Sequence, residues 1–207
     1  MTAMEISEPE RDAIIELFNL GMGKAAGALG QMVDAEVSLS VPSLDIIRRT
    51  QAPEQLGCPA GERICAVRQS FAGPFDGQAM LIFPEGSSLE LVRRLLPDSP
   101  PIGDMTDLEE EALTEVGNVI LNHCLASFAN LLHSEIRTEI PIYQIGRPEE
   151  IIGSNGNPAV NAYVLIIRVD FGLFAKRIEG HVLFLQDIAS IQVFQAAIRA
   201  FLASMEL

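Results

Sequence analysis

Two stretches lying 99 positions apart carry the same chemically capable pair. Glu16 and Asn19 sit three residues apart in DAIIELFN (12–19), as do Glu115 and Asn118 in EALTEVGN (111–118). Asp12 and Glu111 precede the two glutamates by four residues, and Asn122 follows Asn118 by four. Spacings of three and four place side chains on one side of a helix. A carboxylate there can hold a partner's cation, and an amide, being both donor and acceptor, can orient a water. No histidine, cysteine or serine shares the stripe, so covalent catalysis is not indicated. Paired carboxylates also suit glycoside hydrolysis, but the stripe has no sugar-stacking aromatic and the chain has no tryptophan. A solvated helix face accounts for the glutamates alone. It accounts less well for the asparagines, which form helix poorly yet recur in mid-helix three residues after a glutamate in both copies.

The elements that must position these residues also come in duplicate. Ser7-x-x-Glu10 and Thr106-x-x-Glu109 are two capping boxes, each marking a helix start. Long helices are therefore expected over 8–33 and 107–132. On a helical wheel centred on Glu16, Asp12, Asn19 and Gly23 fall on one side, while Ile14, Phe18, Met22, Ala25 and Leu29 fall on the other. The second helix sets Glu111, Glu115, Asn118 and Asn122 against Leu113, Val116, Ile120, Cys124 and Phe128. The apolar sides are expected on a sheet and the Glu/Asn sides open to solvent or a partner, bordered by the apolar Leu20 and Val119.

After each helix comes an alternating stretch ending at a proline, EVSLSVP (36–42) and EIRTEIP (135–141), read as a strand. Further strands are read at 62–73 and 75–86, then at 160–172 and 177–187, with helices at 87–96 and 189–202. Residues 97–105 are proline-rich and connect the halves, and 147–160 reads as a polar loop holding a small insertion. The expectation is one domain over 1–207 made of two repeats, about 7–97 and 106–203. Its fold class is α/β (α+β): a pseudo-two-fold, largely antiparallel six-stranded sheet covered by two long helices.

Composition narrows the function classes. Of 207 residues, 48% are hydrophobic and 20% charged, which suits a folded globular chain. The net charge of −14 disfavours nucleic acid as a partner. No apolar run is long enough to span a bilayer and no signal peptide opens the chain, so no membrane and a cytoplasmic location are expected. Three cysteines without a CxxC pair and three scattered histidines point to no metal site and no disulfide framework.

The pattern Asp12-AII-Glu16-LF-Asn19, then Pro42 after 22 intervening residues, resembles the signature of the CheC/CheX/FliY family of chemotaxis phosphatases. It recurs as Glu111-ALT-Glu115-VG-Asn118, then Pro141. The resemblance spans essentially the whole chain, and two copies look more like the CheC branch than the CheX branch. Phe18 stands where the family usually has glycine, and Glu111 where it prefers Asp or Ser. The resemblance implies hydrolysis of the aspartyl phosphate on a CheY-like response regulator. Glu16 and Glu115 would pair with the regulator's active-site lysine, and Asn19 and Asn118 would align water for in-line attack. Asp12, Glu111 and Asn122 would support them. It implies no cofactor of this chain's own, with Mg²⁺ held by the phosphorylated regulator. It also implies, for some members, a CheD-like deamidase as a second partner, with 87–96 or 189–202 as its candidate helix. The competing expectation is a non-catalytic adaptor for the phosphorylated regulator or for such a deamidase. A weaker third is a structural component of a switch.

Overall fold

A computed structural model describes residues 6–58, 61–74, 76–95, 106–153, 163–173, 176–186 and 188–205. The expected 97–105 connector lies outside them. In chain order the elements are α1 (Glu8–Val33), β1 (Val37–Arg48), a 3₁₀ turn (Arg49–Gln51), α2 (Ala52–Gln55), β2 (Ile64–Ala72), β3 (Gly77–Pro84) and α3 (Glu85–Leu95). There follow α4 (Asp107–Leu131), β4 (Arg137–Thr138), β5 (Ile142–Gly146), α5 (Pro148–Gly153), β6 (Tyr163–Leu173), β7 (Lys176–Gln186) and α6 (Ile188–Met205).

All the strands join one antiparallel sheet in the order β1-β6-β7-β3-β2, with β4 and β5 both along the outer edge of β2. The halves are therefore crossed. The first strand of each half pairs with the second strand of the other, and β3 meets β7 at the centre. Register repeats the relation between the halves: Leu39 faces Phe171 and Thr138 faces Phe71, while Leu44 faces Ile167 and Tyr143 faces Val67. At the centre Met80 faces Leu183.

Three expectations need correction. Among the described residues the sheet has seven strands, not six, because the second half's first strand is split into β4 and β5 around Pro141, which has no N–H to give to a ladder. The first half does not end its strand at Pro42 either. There the same break is a register shift between Ser40 and Ser43, after which β1 runs on to Arg48. Finally, the 147–160 stretch is not all loop: Pro148–Gly153 forms α5, and residues 154–160 lie outside the described residues.

The two faces of the sheet are covered unequally. Helices α1, α4, α3 and α6 cover one face over a large core in which Phe18, Phe128, Phe184 and Phe194 pack together. Phe128 meets Phe18 edge-on at 5.0 Å and both Phe184 and Phe194 at 4.8 Å, the geometry that aromatic quadrupoles favour. The short α2 and α5 cover a smaller cluster on the other face, which includes Ala52, Leu56, Met80, Ile151, Ile152 and Leu183. Gly21 and Gly117 let the long helices approach closely on the large face. A β-carbon at Gly21 would come within 2.5 Å of Ser127 Oγ on α4, and one at Gly117 within 2.5 Å of Val67 on β2.

The last helix of each half clamps the other half's long helix. Arg93 of α3 holds Glu109 of α4 at 2.9 Å, and Arg199 of α6 holds Glu10 of α1. Both carboxylates are buried, and both are the third-position residue of a capping box. Burial alone would raise their pKa values. Hydrogen bonds from Ser7 and Arg199 outweigh it at Glu10, as those from Thr106 and Arg93 do at Glu109, and both carboxyls titrate below the ordinary carboxylate value.

Candidate functional site

The apolar sides of α1 and α4 are spent on the sheet, as the wheel requires: Ile14, Phe18, Met22, Ala25 and Leu29 are buried, and so are Leu113, Val116, Ile120, Cys124 and Phe128. The opposite sides carry the polar stripes. Asp12, Glu16, Glu111 and Glu115 are exposed, while Asn19, Asn118 and Asn122 are half-buried. Leu20 beside the first stripe is 62% exposed, and Ile140 near the second is 86% exposed. Exposed carboxylates at the rim with amides seated below them form two like sites, one on each long helix.

The two asparagines are seated differently. The break in β1 at Pro42 leaves the Val41 N–H outside the ladder, and Asn19 Oδ1 accepts it at 2.9 Å. In the first half, that bond is what the spacing between Asn19 and Pro42 provides. Asn118 is held instead by side chains. Its Oδ1 accepts from Asn122 Nδ2 at 2.7 Å, and its own Nδ2 lies 3.5 Å from Glu115 Oε2, at the outer limit of a hydrogen bond.

Behind Asn122 stands Gln69 of β2, which the sequence reading did not single out. Its Nε2 donates to the Glu139 backbone carbonyl at 3.0 Å and reaches Asn122 Oδ1 at 3.4 Å, and the residue is only 2% exposed. The one sequence signal was a glutamine in the middle of a strand otherwise rich in core residues, ICAVRQSFA. Its partners lie 53 and 70 positions away, so no local pattern could have named its role.

Nothing in either stripe is a nucleophile. Among the described residues no group of three or more His, Cys, Asp or Glu is placed to hold a metal ion. His181 is buried in the sheet beside Arg168, and burial, then that charge, pull its pKa down to about 4. Cys65 and Cys124 are buried and Cys58 is half-buried. No helix of the described residues is long and apolar enough to cross a membrane. What the two sites offer is a surface carboxylate and an oriented amide, a pair suited to gripping a cation and ordering a water on a docked partner.

No family model matches the chain. It is 22% identical over 204 residues to the CheY-P phosphatase CheC of Bacillus subtilis, covering 94% of this chain and 96% of that one. It is 23% identical over 172 residues to the flagellar motor switch phosphatase FliY of B. subtilis, covering 82% of this chain but 43% of FliY. Among solved structures, FliY of Thermotoga maritima superposes with a TM-score of 0.76 at 14% identity, over 95% of this chain and 99% of that one. FliM of H. pylori, solved in complex with FliG, gives 0.66 at 10% identity, over 92% of this chain and 100% of that one. At such identities the structural likeness speaks to the fold.

Proposed function

We infer, from the chain's membership of the CheC/CheX/FliY family, that it is a phosphatase acting on the aspartyl phosphate of a CheY-like response regulator in the cytoplasm. The observation that carries this reading is the paired presentation of Glu16 with Asn19 and Glu115 with Asn118. Each glutamate is exposed on the outer side of a long helix, with its asparagine seated beneath and the amide oxygen already engaged. CheC of B. subtilis is named a CheY-P phosphatase and FliY of B. subtilis a flagellar motor switch phosphatase, which supports the choice of substrate.

In the reaction a water oxygen attacks phosphorus, the acyl C–O–P linkage breaks at the P–O bond, and aspartate and inorganic phosphate leave. Phosphoryl transfer demands little covalent help; positioning and charge dominate. The glutamate would grip the regulator's lysine. The asparagine, its oxygen tied inward, would present N–H groups toward the water or the phosphoryl oxygens. Mg²⁺ would belong to the regulator. Exposed Leu20 and Ile140 would supply apolar contact beside the charged grip. A CheD-like deamidase would be sought at α3 or α6, each of which also spends a side on the neighbouring long helix.

The test is phosphate release from a phosphorylated CheY-like regulator with Mg²⁺, comparing wild type, Asn19→Ala, Asn118→Ala and the double variant. Each single variant should keep the turnover of the other site. The double variant should lose at least about 10²-fold, as when an oriented catalytic donor is removed elsewhere, while still binding the regulator. Wild type that binds the phosphorylated regulator without accelerating release would replace the enzyme with the adaptor.

A further inference from the structure

The first asparagine is fixed by the backbone, the second by a line of side chains, and that line has a direction. We propose that Gln69 and Asn122 are positioning residues that fix which end of the Asn118 amide faces the partner. The proposal rests on the phosphatase reading for its kinetic test and on the free protein for its structural one.

The direction follows from what each end can do. The Glu139 carbonyl only accepts, so Gln69 must turn its Nε2 toward it, at 3.0 Å. The same nitrogen has a second hydrogen, which faces Asn122 Oδ1 at 3.4 Å. With its oxygen turned to Gln69, Asn122 is left to donate from Nδ2 to Asn118 Oδ1, at 2.7 Å. Asn118 then has only its Nδ2 for the open side, where Glu115 can accept. Every donor points from the sheet outward. Flipping Asn118 alone would set its NH₂ against that of Asn122. Flipping Asn122 alone would oppose oxygen to oxygen at Asn118 and NH₂ to NH₂ at Gln69. The relay therefore sets at Asn118 the polarity that the Val41 N–H sets at Asn19: oxygen inward, N–H outward.

The first half shows that these two residues are not needed for packing. By the 99-residue shift of the helices, the counterpart of Asn122 is Gly23, where an added β-carbon would meet nothing within 4 Å. By the 100-residue shift that relates Phe71 to Phe171 in the strand register, the counterpart of Gln69 is Val169, fully buried. A valine fills the equivalent place in the sheet. Gln69 fills it while leaving its Oε1 buried with no hydrogen-bond partner, a destabilising arrangement. The amide is accounted for by what its nitrogen does.

The kinetic arm uses Gln69→Met, which keeps the volume and removes both donated bonds. It is measured in the Asn19→Ala background, where only the second site works, and in the Asn118→Ala background, where only the first does. The expected result is a fall in kcat of about tenfold or more at the second site with KM little changed, since misplacing a reacting group acts on turnover. The loss at the first site should be several-fold smaller. Equal losses in both backgrounds would mean general destabilisation and overturn the proposal. The structural arm follows the side-chain NH₂ resonances of ¹⁵N-labelled free protein. Gln69→Met should shift or broaden those of Asn118 and leave those of Asn19 in place. Asn122→Asp, a half-buried substitution that leaves the core intact, should do the same by turning the Asn118 N–H₂ inward; it serves if Gln69→Met fails to fold. Wild type with no phosphatase activity would overturn the functional reading only. The resonance arm would then decide alone, and unmoved Asn118 signals in both variants would sink the relay.

Discussion

Replacing Gly117 with alanine tests how the sheet sets the height of the second site. A β-carbon there would stand 2.5 Å from Cβ and Cγ1 of Val67 and 2.9 Å from Cγ2. Carbon atoms in contact sit about 3.5–4.0 Å apart, so α4 and β2 must part by on the order of 1 Å. Val67 has no flexible end to swing away, because it is β-branched and buried in the core. Overpacking of this kind costs about 1–3 kcal/mol. Alanine's better helix propensity returns at most about 1 kcal/mol. The net loss should be about 1–2 kcal/mol, which lowers Tm by about 2–8 °C in a chain of this size. Asn118 is the next residue and moves with the backbone. A displacement near 1 Å costs a catalytic group about 10²-fold. Thermal melts and phosphate release, both in the Asn19→Ala background, should therefore show a small drop in stability and a much larger drop in turnover. A Gly117→Ala variant as stable as its parent, with second-site turnover intact, would refute the idea that this contact holds Asn118 in place.

Other expectations are simpler. Gly23→Ala, on the open side of α1, should raise stability by up to about 1 kcal/mol in urea unfolding, because the position is exposed and has room for a methyl group. Glu109→Ala should cost about 2–4 kcal/mol, combining a lost cap with charge-assisted bonds to Arg93 and Thr106. Glu10→Ala should cost less, about 1–2 kcal/mol, because Arg199 is largely exposed and its pairing is screened; equal losses would contradict the burial difference. Both carboxyls titrate below the ordinary 4.5, so the stability they add is present above that pH and is lost as pH falls through their folded values. The Glu10→Ala/Glu109→Ala double variant should accordingly show a flatter decline below about pH 4.5 in acid titration followed by circular dichroism. Native-state alkylation followed by mass spectrometry should label Cys58 before Cys65 and Cys124, since the latter two are buried and Cys58 is only half-buried.

Much of this arrangement was legible along the chain because its causes are local. Capping boxes, helical periodicity and a doubled Glu-x-x-Asn stripe name α1 and α4 and the sides they bury, and Phe18 lies fully inside as its wheel angle demands. What was not legible depends on distant partners. Nothing in EVSLSVP says that it pairs with β6 and not with β2, since alternation fixes a face but not a neighbour. Alternation that stops at a proline reads as a strand end, whereas Pro42 interrupts β1 and frees an N–H for Asn19. Helices α2 and α5 are too short to show a periodicity; their one cue is Pro-Glu near each start, at 53–54 and 148–149. The different seats of the two asparagines were hidden for the same reason, because Gln69 and Val169 differ in what lies across from them.

The crossing of strands has a consequence for synthesis. When Val37–Arg48 leaves the ribosome, the strand that completes its ladder is still more than a hundred codons away, since Val37 pairs with Leu173. At common elongation rates of about 5–20 residues per second, β1 waits roughly 7–27 s. The first half of the chain cannot close its sheet alone in that interval, and it presents an unsatisfied backbone edge. Polysomes bring several such edges close together, so a nascent β1 can be claimed by the finished β6 of a neighbouring copy. Slow codons upstream of β6 should raise the yield of exchanged dimers, and dilution should lower it.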